Sequence, residues 1–170
     1  MASLMDELLE TMEEEKAGYD ALIALTDDKR ESIVHNKLEL LEQVTSREEE
    51  ITSGLKNLEN RRLKVLKDMA VVLGHDGEDM TVTHLIALLK EQPKEQAALT
   101  KARDELVESA KRMRFMNDQI QILLEQAMEM VDFDLTLFRS LRQAPETANY
   151  NGSGYNTGDR LGGGGFDAKQ

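Results

Sequence analysis

The sequence predicts an all-α protein: an elongated antiparallel bundle, or coiled-coil hairpin, of three long helices plus one short helix, followed by a disordered tail. Apolar residues recur at alternating spacings of three and four, the period that keeps one helix face against a partner. Hydrophobic residues make up 40% of the chain, but aromatic residues only 4%. Leu, Ile, Val, Met and Ala suit narrow seams between helices better than a thick globular core.

The first long helix is predicted to begin at Ser3, because Ser3 followed by Asp6 is a start signal of the capping-box kind. The polar stretch 26–30 interrupts the apolar spacing, and we expect a polar helical turn or a mild bend there. The apolar row of this helix comprises Met5, Leu8, Met12, Tyr19, Leu22 and Ile33.

The second helix is predicted between Asn36 and Gly74. Asn36 followed by Glu39 is a start signal, and Gly74 stands where a C-terminal cap is expected. Gly54 lies off the apolar row and is tolerable in so long a helix. The row itself comprises Leu41, Val44, Glu48, Ile51, Leu55, Leu58, Arg62, Val65, Met69 and Val72.

Charged residues occupy three positions of otherwise apolar rows: Glu48, Arg62 and, in the third helix, Asp134. One interpretation is a register-setting ion pair, for example between Glu48 and a basic residue of a facing helix. The other is that the helix ends separate and these positions stay hydrated. We favour the hydrated alternative.

The third long helix is predicted from Pro93 to about Arg142, since proline fits the first turn of a helix. A loop over residues 75–80 and a short helix, capped by Thr81 or Thr83 and ending near Lys90, precede it. Its main apolar row, here called the seam row, ends with Ile120, Leu123, Ala127, Met130, Asp134, Leu137 and Leu141.

A further apolar row, here called the second row, runs beside the seam row at an offset of about 100° around the helix. A helix in a small bundle needs only one such stripe. Either the other helices of the chain bury the second row, or it receives an amphipathic helix from another protein. The second row comprises Leu124, Met128, Val131, Leu135 and Phe138.

The composition changes after Pro145, where seven of the eleven glycines follow. Such a segment buries too little apolar surface to offset the entropy of ordering it. We therefore predict a helical domain over residues 1–143 and a disordered Gly/Asn-rich tail over residues 144–170.

Composition also excludes several classes of function. A formal net charge of -12 disfavours nucleic acid and anionic membrane surfaces as partners. The chain lacks cysteine, a signal-peptide pattern and any apolar run long enough to insert into a membrane, so we expect a cytoplasmic protein. No Glu-x-x-His pair or phosphate loop occurs, and the acidic loop around His75 lacks the spacing of a calcium site. We therefore expect no enzyme activity, catalytic residue, metal or cofactor.

Two stretches of the chain have a pattern that is typical of a known family. The first is residues 28–36 followed by the heptad positions Leu38, Leu41, Glu48, Ile51, Leu55, Leu58 and Arg61. The second is residues 116–120 followed by Leu123, Leu124, Ala127, Met130 and Val131. Through these stretches the chain resembles the FlgN-type flagellar export chaperones across roughly residues 4–142. The resemblance implies a chaperone that binds the C-terminal helical region of hook-associated (hook–filament junction) proteins, prevents premature assembly and delivers them to the type III export apparatus.

The resemblance and the second row together place the partner-binding site on the third helix. We expect the chain to act as a monomer or small homo-oligomer. The alternative is a structural coiled-coil adaptor or tether that self-associates through its helical seams, and would be a stable oligomer alone. The predicted partner-binding residues are Met116, Asn117, Ile120, Leu124, Met128, Val131, Leu135 and Phe138.

Overall fold

The structure, a computed structural model, describes residues 1–143, and every regular element in that range is helical. The predicted all-α class is confirmed, whereas the predicted tail, 144–170, lies outside the described residues. The described residues divide into two units, 1–123 and 124–143. The elements are α1 (Ala2–Ala24), α2 (Thr26–Val34), α3 (Leu38–Val72), α4 (Val82–Leu88), a 3-10 turn (Leu89–Glu91) and α5 (Pro93–Arg142), which contains the boundary between the units.

The predicted first helix is in fact two helices that meet at Leu25. The backbone of Leu25 stays right-handed, at φ -78° and ψ -12°. Its carbonyl accepts a hydrogen bond from the Lys29 N–H at 3.0 Å, so the helical path resumes at once. The predicted cap at Ser3 is wrong, because α1 begins at Ala2, after Met1, and has no side-chain cap.

Asn36 marks the boundary between α2 and α3, as predicted, but by a different mechanism. It adopts a left-handed conformation at φ 53° instead of capping α3 with its side chain. The Lys37 N–H donates to the Ser32 carbonyl at 2.9 Å. This bond closes a Schellman-type end, in which Asn is the usual substitute for Gly.

The predicted boundaries on either side of the loop over residues 75–80 are confirmed. Gly74 ends α3 at φ 78°, and the His75 N–H donates to the Ala70 carbonyl at 2.8 Å, as in a Schellman motif. Thr81, one of the two predicted caps, begins α4 by accepting the His84 N–H at 3.1 Å through its hydroxyl. In chain order, α4 therefore lies between α3 and α5, the two longest of the described helices.

Helix α3 runs antiparallel to α1 and α2. Glu15 pairs with Arg62, and Lys29 pairs with Glu48, so residue numbers rise on one side as they fall on the other. Helix α5 runs parallel to α1 within the first unit. Its Ser109 hydroxyl donates to Asp20 at 2.9 Å, and Glu105, one turn earlier, lies 3.9 Å from Lys16.

The apolar core of the first unit lies where the ends of α1, α3 and α5 meet α4. Most positions of the apolar rows predicted for the first two helices are buried or half-buried in this unit, but Val72 is exposed. At 25 cal/mol per Å² of apolar surface, burial of this kind is the main stabilising contribution. The core comprises Met5, Leu8, Met12, Val65, Leu66, Met69, Ala70, Met80, Val82, Leu85, Leu89 and Leu99.

Helices α1 and α3 approach each other closely at Gly18. A Cβ atom added there would lie 2.6 Å from Leu55 Cδ2 and 2.9 Å from Leu55 Cγ. Leu55 therefore occupies the space that a side chain at position 18 would need. Gly54, one residue earlier on α3, has nothing within 4 Å of its added Cβ.

The two glycines give a matched test of this contact. We expect Gly54→Ala to raise the free energy of unfolding by about 0.5–1 kcal/mol, the gain in helix propensity. Gly18→Ala should lose that gain or lower stability, since Leu55 must shift to admit the methyl group. Urea denaturation measures both variants. Equal stabilisation by the two changes would contradict the close packing of α1 on α3.

Candidate functional site

An open groove of about 510 Å³ lies in the first unit between α1, α2, α3 and α5. Its walls mix charged, polar and apolar side chains, in contrast to the apolar core at the end of the same helices. This volume is in the range of ligand- or side-chain-binding clefts. The lining residues are Glu15, Tyr19, Leu22, Thr26, Lys29, Glu48, Thr52, Leu55, Lys56, Glu59, Arg62, Met113, Asn117 and Ile120.

One end of the groove holds a buried ion pair. Arg62 Nε donates to both carboxylate oxygens of Glu15, at 2.9 and 3.2 Å. The Glu15 side chain is 5% exposed and the Arg62 side chain 24%. Burial raises the pKa of Glu15 above its ordinary value of 4.5, although Arg62 acts in the opposite direction. The cost of removing this carboxylate from water therefore outweighs the attraction of the guanidinium.

A second ion pair lies further along the groove. Lys29 Nζ donates to both oxygens of Glu48, at 3.0 and 3.2 Å. Tyr19 lines the groove too, and burial, followed by the nearby Glu15 carboxylate, raises the pKa of its hydroxyl. The hydroxyl is therefore neutral at physiological pH and can act as a hydrogen-bond donor.

These pairs correct the expectation that the charged seam positions stay hydrated. Glu48 and Arg62 each bind an opposite charge on a facing helix, which is the register-setting arrangement. Asp134 is exposed, in agreement with the hydrated alternative.

Sequence reasoning missed the partners, Glu15 and Lys29. The spacing held the signal, since the row Met5, Leu8, Met12, Glu15, Tyr19, Leu22, Thr26, Lys29, Ile33 alternates three and four without a gap.

The predicted partner-binding residues fall into two groups, one in each unit. In the first unit, Ile120 is 4% exposed and, with the exposed Asn117, lines the groove. Met116 is half-buried and does not line it. None of these observations tests binding, so the role of the three residues stays a prediction.

The five second-row residues lie in the second unit. Leu124 is half-buried, and the other four, which are large apolar residues, are about half exposed or more. Among the described residues of the second unit, 124–143, no other helix buries these four, and the choice between the two alternatives left open by the spacing stays a prediction. The exposed members are Met128, Val131, Leu135 and Phe138.

Residues 1–143 contain no group of three or more His, Asp or Glu side chains that could hold a metal ion. In the acidic loop, His75 Nδ1 lies 3.1 Å from a Glu78 carboxylate oxygen, and the His75 ring contacts His84 edge-on at 6.0 Å between centroids. None of the helices described is long and apolar enough to cross a membrane.

Comparison with known proteins gives a match at the level of family. The model of the family described as FlgN protein matches residues 1–158. No curated protein and no solved structure shows a significant match.

Adjacent arginines on α3 test the buried pair. Arg62→Met should lower the free energy of unfolding by about 3 kcal/mol, because it leaves the Glu15 carboxylate buried without its partner. Arg61 is the control. Its guanidinium lies nearer the protein surface, 3.3 Å from the Glu7 carboxylate and 3.4 Å from the Glu10 carboxylate. Arg61→Met should have a smaller effect that shrinks as salt is added. Urea denaturation measures both variants. Similar losses in the free energy of unfolding would contradict the prediction that the buried Glu15–Arg62 pair matters more than the exposed pairs of Arg61.

The raised pKa of Glu15 predicts a pH dependence with a definite sign. The folded state holds the Glu15 proton more tightly than the unfolded state does. Stability from this group therefore falls as pH rises from 4.5 towards the raised pKa. Glu15→Gln removes this dependence, so its stability relative to the original chain should improve over that interval. Urea denaturation of both chains at several pH values measures this difference in the free energy of unfolding. If Glu15→Gln instead became less stable relative to the original chain as pH rises, the attraction of Arg62 would outweigh the effect of burial on the pKa of Glu15.

Proposed function

This chain belongs to the FlgN protein family, a family of flagellar export chaperones and not of enzymes, and from that premise we propose that it binds hook-associated proteins before their secretion. The proposed contact is with the C-terminal helical region of the substrate. The chain would hold that region in the cytoplasm, prevent premature assembly and deliver the substrate to the type III export apparatus.

The observation that carries this proposal is the exposed second row of α5. Met128, Val131, Leu135 and Phe138 follow one another at spacings of three and four, so they form one stripe along the helix. Large apolar side chains in such a stripe are characteristic of helices that receive an amphipathic partner helix. The flexible thioether of Met128 also allows the stripe to adapt to more than one substrate.

The chemistry of the substrate class fits this surface. A protein that polymerises through helices outside the cell carries apolar helix faces that are uncovered before assembly. A helix with a matching apolar stripe can cover those faces by burial alone. Release then requires only a competing surface with a better fit, and no covalent step.

Two residues at the C-terminal end of the second row provide the test. Each buried Leu or Phe contributes about 1.5–3 kcal/mol, and about 1.4 kcal/mol corresponds to a tenfold change in affinity. Leu135→Ala/Phe138→Ala should therefore weaken binding of the substrate's C-terminal helical segment by about tenfold or more. Helicity and melting temperature of the free chain should stay unchanged, since both side chains are already exposed.

Val107→Ala/Phe115→Ala is the matched control, because it removes an exposed aliphatic and an exposed aromatic side chain from α5 in the first unit. Calorimetric titration should give the control the affinity of the original chain. Undiminished binding by Leu135→Ala/Phe138→Ala would place the site elsewhere. If that variant instead dissociates a stable homo-oligomer, the row serves self-association, as the adaptor alternative requires.

A further inference from the structure

The apolar arc of α5 widens along its length. From Leu99 to Ile120 the apolar row stays within an arc of about 100° around the helix, at about 100° per residue. Leu99, Ser109 and Ile120 on this row are all buried. In this part of α5, one stripe meets the other helices of the first unit, which is the usual demand on a helix in a bundle.

From residue 124 onward the arc is nearly twice as wide. The seam row and the second row lie side by side there, and together they span about 180° of the helix. Within the described residues of this unit, 124–143, both rows are exposed except at Leu124 and Ala127, which are half-buried. On the seam row, the large apolar residues Met130, Leu137 and Leu141 are between 49% and 67% exposed.

One partner helix cannot cover both rows, since a packed helix contacts a stripe of about 100°. From this we propose that the C-terminal part of α5 binds two helices of one substrate, one along each row, so that a helical hairpin and not a single helix is the unit recognised. The proposal rests on the function proposed above and adds the seam row to its site.

Asp134 gives the two rows different chemistry. It stands in the middle of the seam row, whereas no charged residue interrupts the second row. Residues 1–143 supply no ion-pair partner to Asp134. Covering the seam row would remove this carboxylate from water, which is unfavourable without an opposite charge. The helix on the seam row should therefore carry a Lys or Arg that faces Asp134 and sets its register.

A second copy of the chain is a poorer occupant for the seam row. In a twofold-symmetric antiparallel pair centred on this part of α5, Asp134 would approach Asp134 of the other copy inside an apolar contact. Two carboxylates in that position repel each other. The net charge of -12 per chain adds to the repulsion.

Calorimetric titration of the full chain against a hook-associated protein separates the two rows. Three probes are needed from the C-terminal region of that protein: a segment with its last two helices, and each helix alone. Leu137→Ala/Leu141→Ala alters the seam row, and Leu135→Ala/Phe138→Ala alters the second row. Both variants should bind the two-helix segment with an affinity lower by about tenfold or more. Each single helix should respond to only one of the two variants.

The outcomes distinguish this proposal from the broader one. If only the second-row variant weakens the two-helix segment, the hairpin proposal is wrong and the proposed function stands. If neither variant weakens its binding, the hairpin proposal is wrong and the binding site lies elsewhere on the chain, whereas no binding by the original chain would overturn the proposed function. Light scattering of the free chain adds a further criterion: a dimer that the seam-row variant converts to monomer would show that a second copy covers this row.

Charge reversal at Asp134 tests the register. Asp134→Lys should lower the affinity for the two-helix segment by about fivefold or more. Added salt should reduce this difference in affinity from the original chain. Asp132→Lys makes the same charge change on the polar face of the same helix, and should alter affinity by less than about twofold. Equal effects of the two reversals would mean that only overall charge matters, and would overturn the specific contact of Asp134.

Discussion

The antiparallel packing of α3 against α1 and α2 is the contact on which the first unit depends. Gly18 allows the helices to approach until Leu55 occupies the space of its missing side chain. Glu15 then meets Arg62, and Lys29 meets Glu48. A shift by one turn would separate both ion pairs and move Leu55 from Gly18 to a residue of α1 that has a side chain. The apolar rows alone tolerate such a shift, so these polar and steric contacts specify the register.

That register also explains why the groove is open. At the end near α4, the seam positions are apolar, and the helices close around a dry core. Further along α1, α2 and α3, the same positions hold Glu15, Lys29, Glu48 and Arg62; the Glu15 carboxylate is buried, and the other three side chains are 20–25% exposed. A polar groove beside an apolar core follows directly from this sequence of residue types.

Helix α5 serves different purposes at its two ends. In the first unit, its single stripe contributes Leu99 and Ile120 to the interior. In the second unit, the stripe broadens while its large side chains stay exposed. The proposed function requires an exposed apolar surface, and the C-terminal part of a helix that packs in the first unit supplies one. Under the proposed function, stability and binding would depend on different residues of one helix, and Phe138→Ala would change binding without changing stability.

The sequence by itself determined the helical class, the start of α5 at Pro93 and the ends of α2 and α3 near Asn36 and Gly74, because spacing and backbone preference act locally. It also determined that two apolar rows run along the C-terminal part of α5. Only the tertiary structure decided that Glu48 and Arg62 are paired, and which rows are covered. Spacing shows which face of a helix is apolar, but whether another helix covers that face depends on residues far away in the chain, such as Glu15 and Lys29, whose positions are set only when the helices pack.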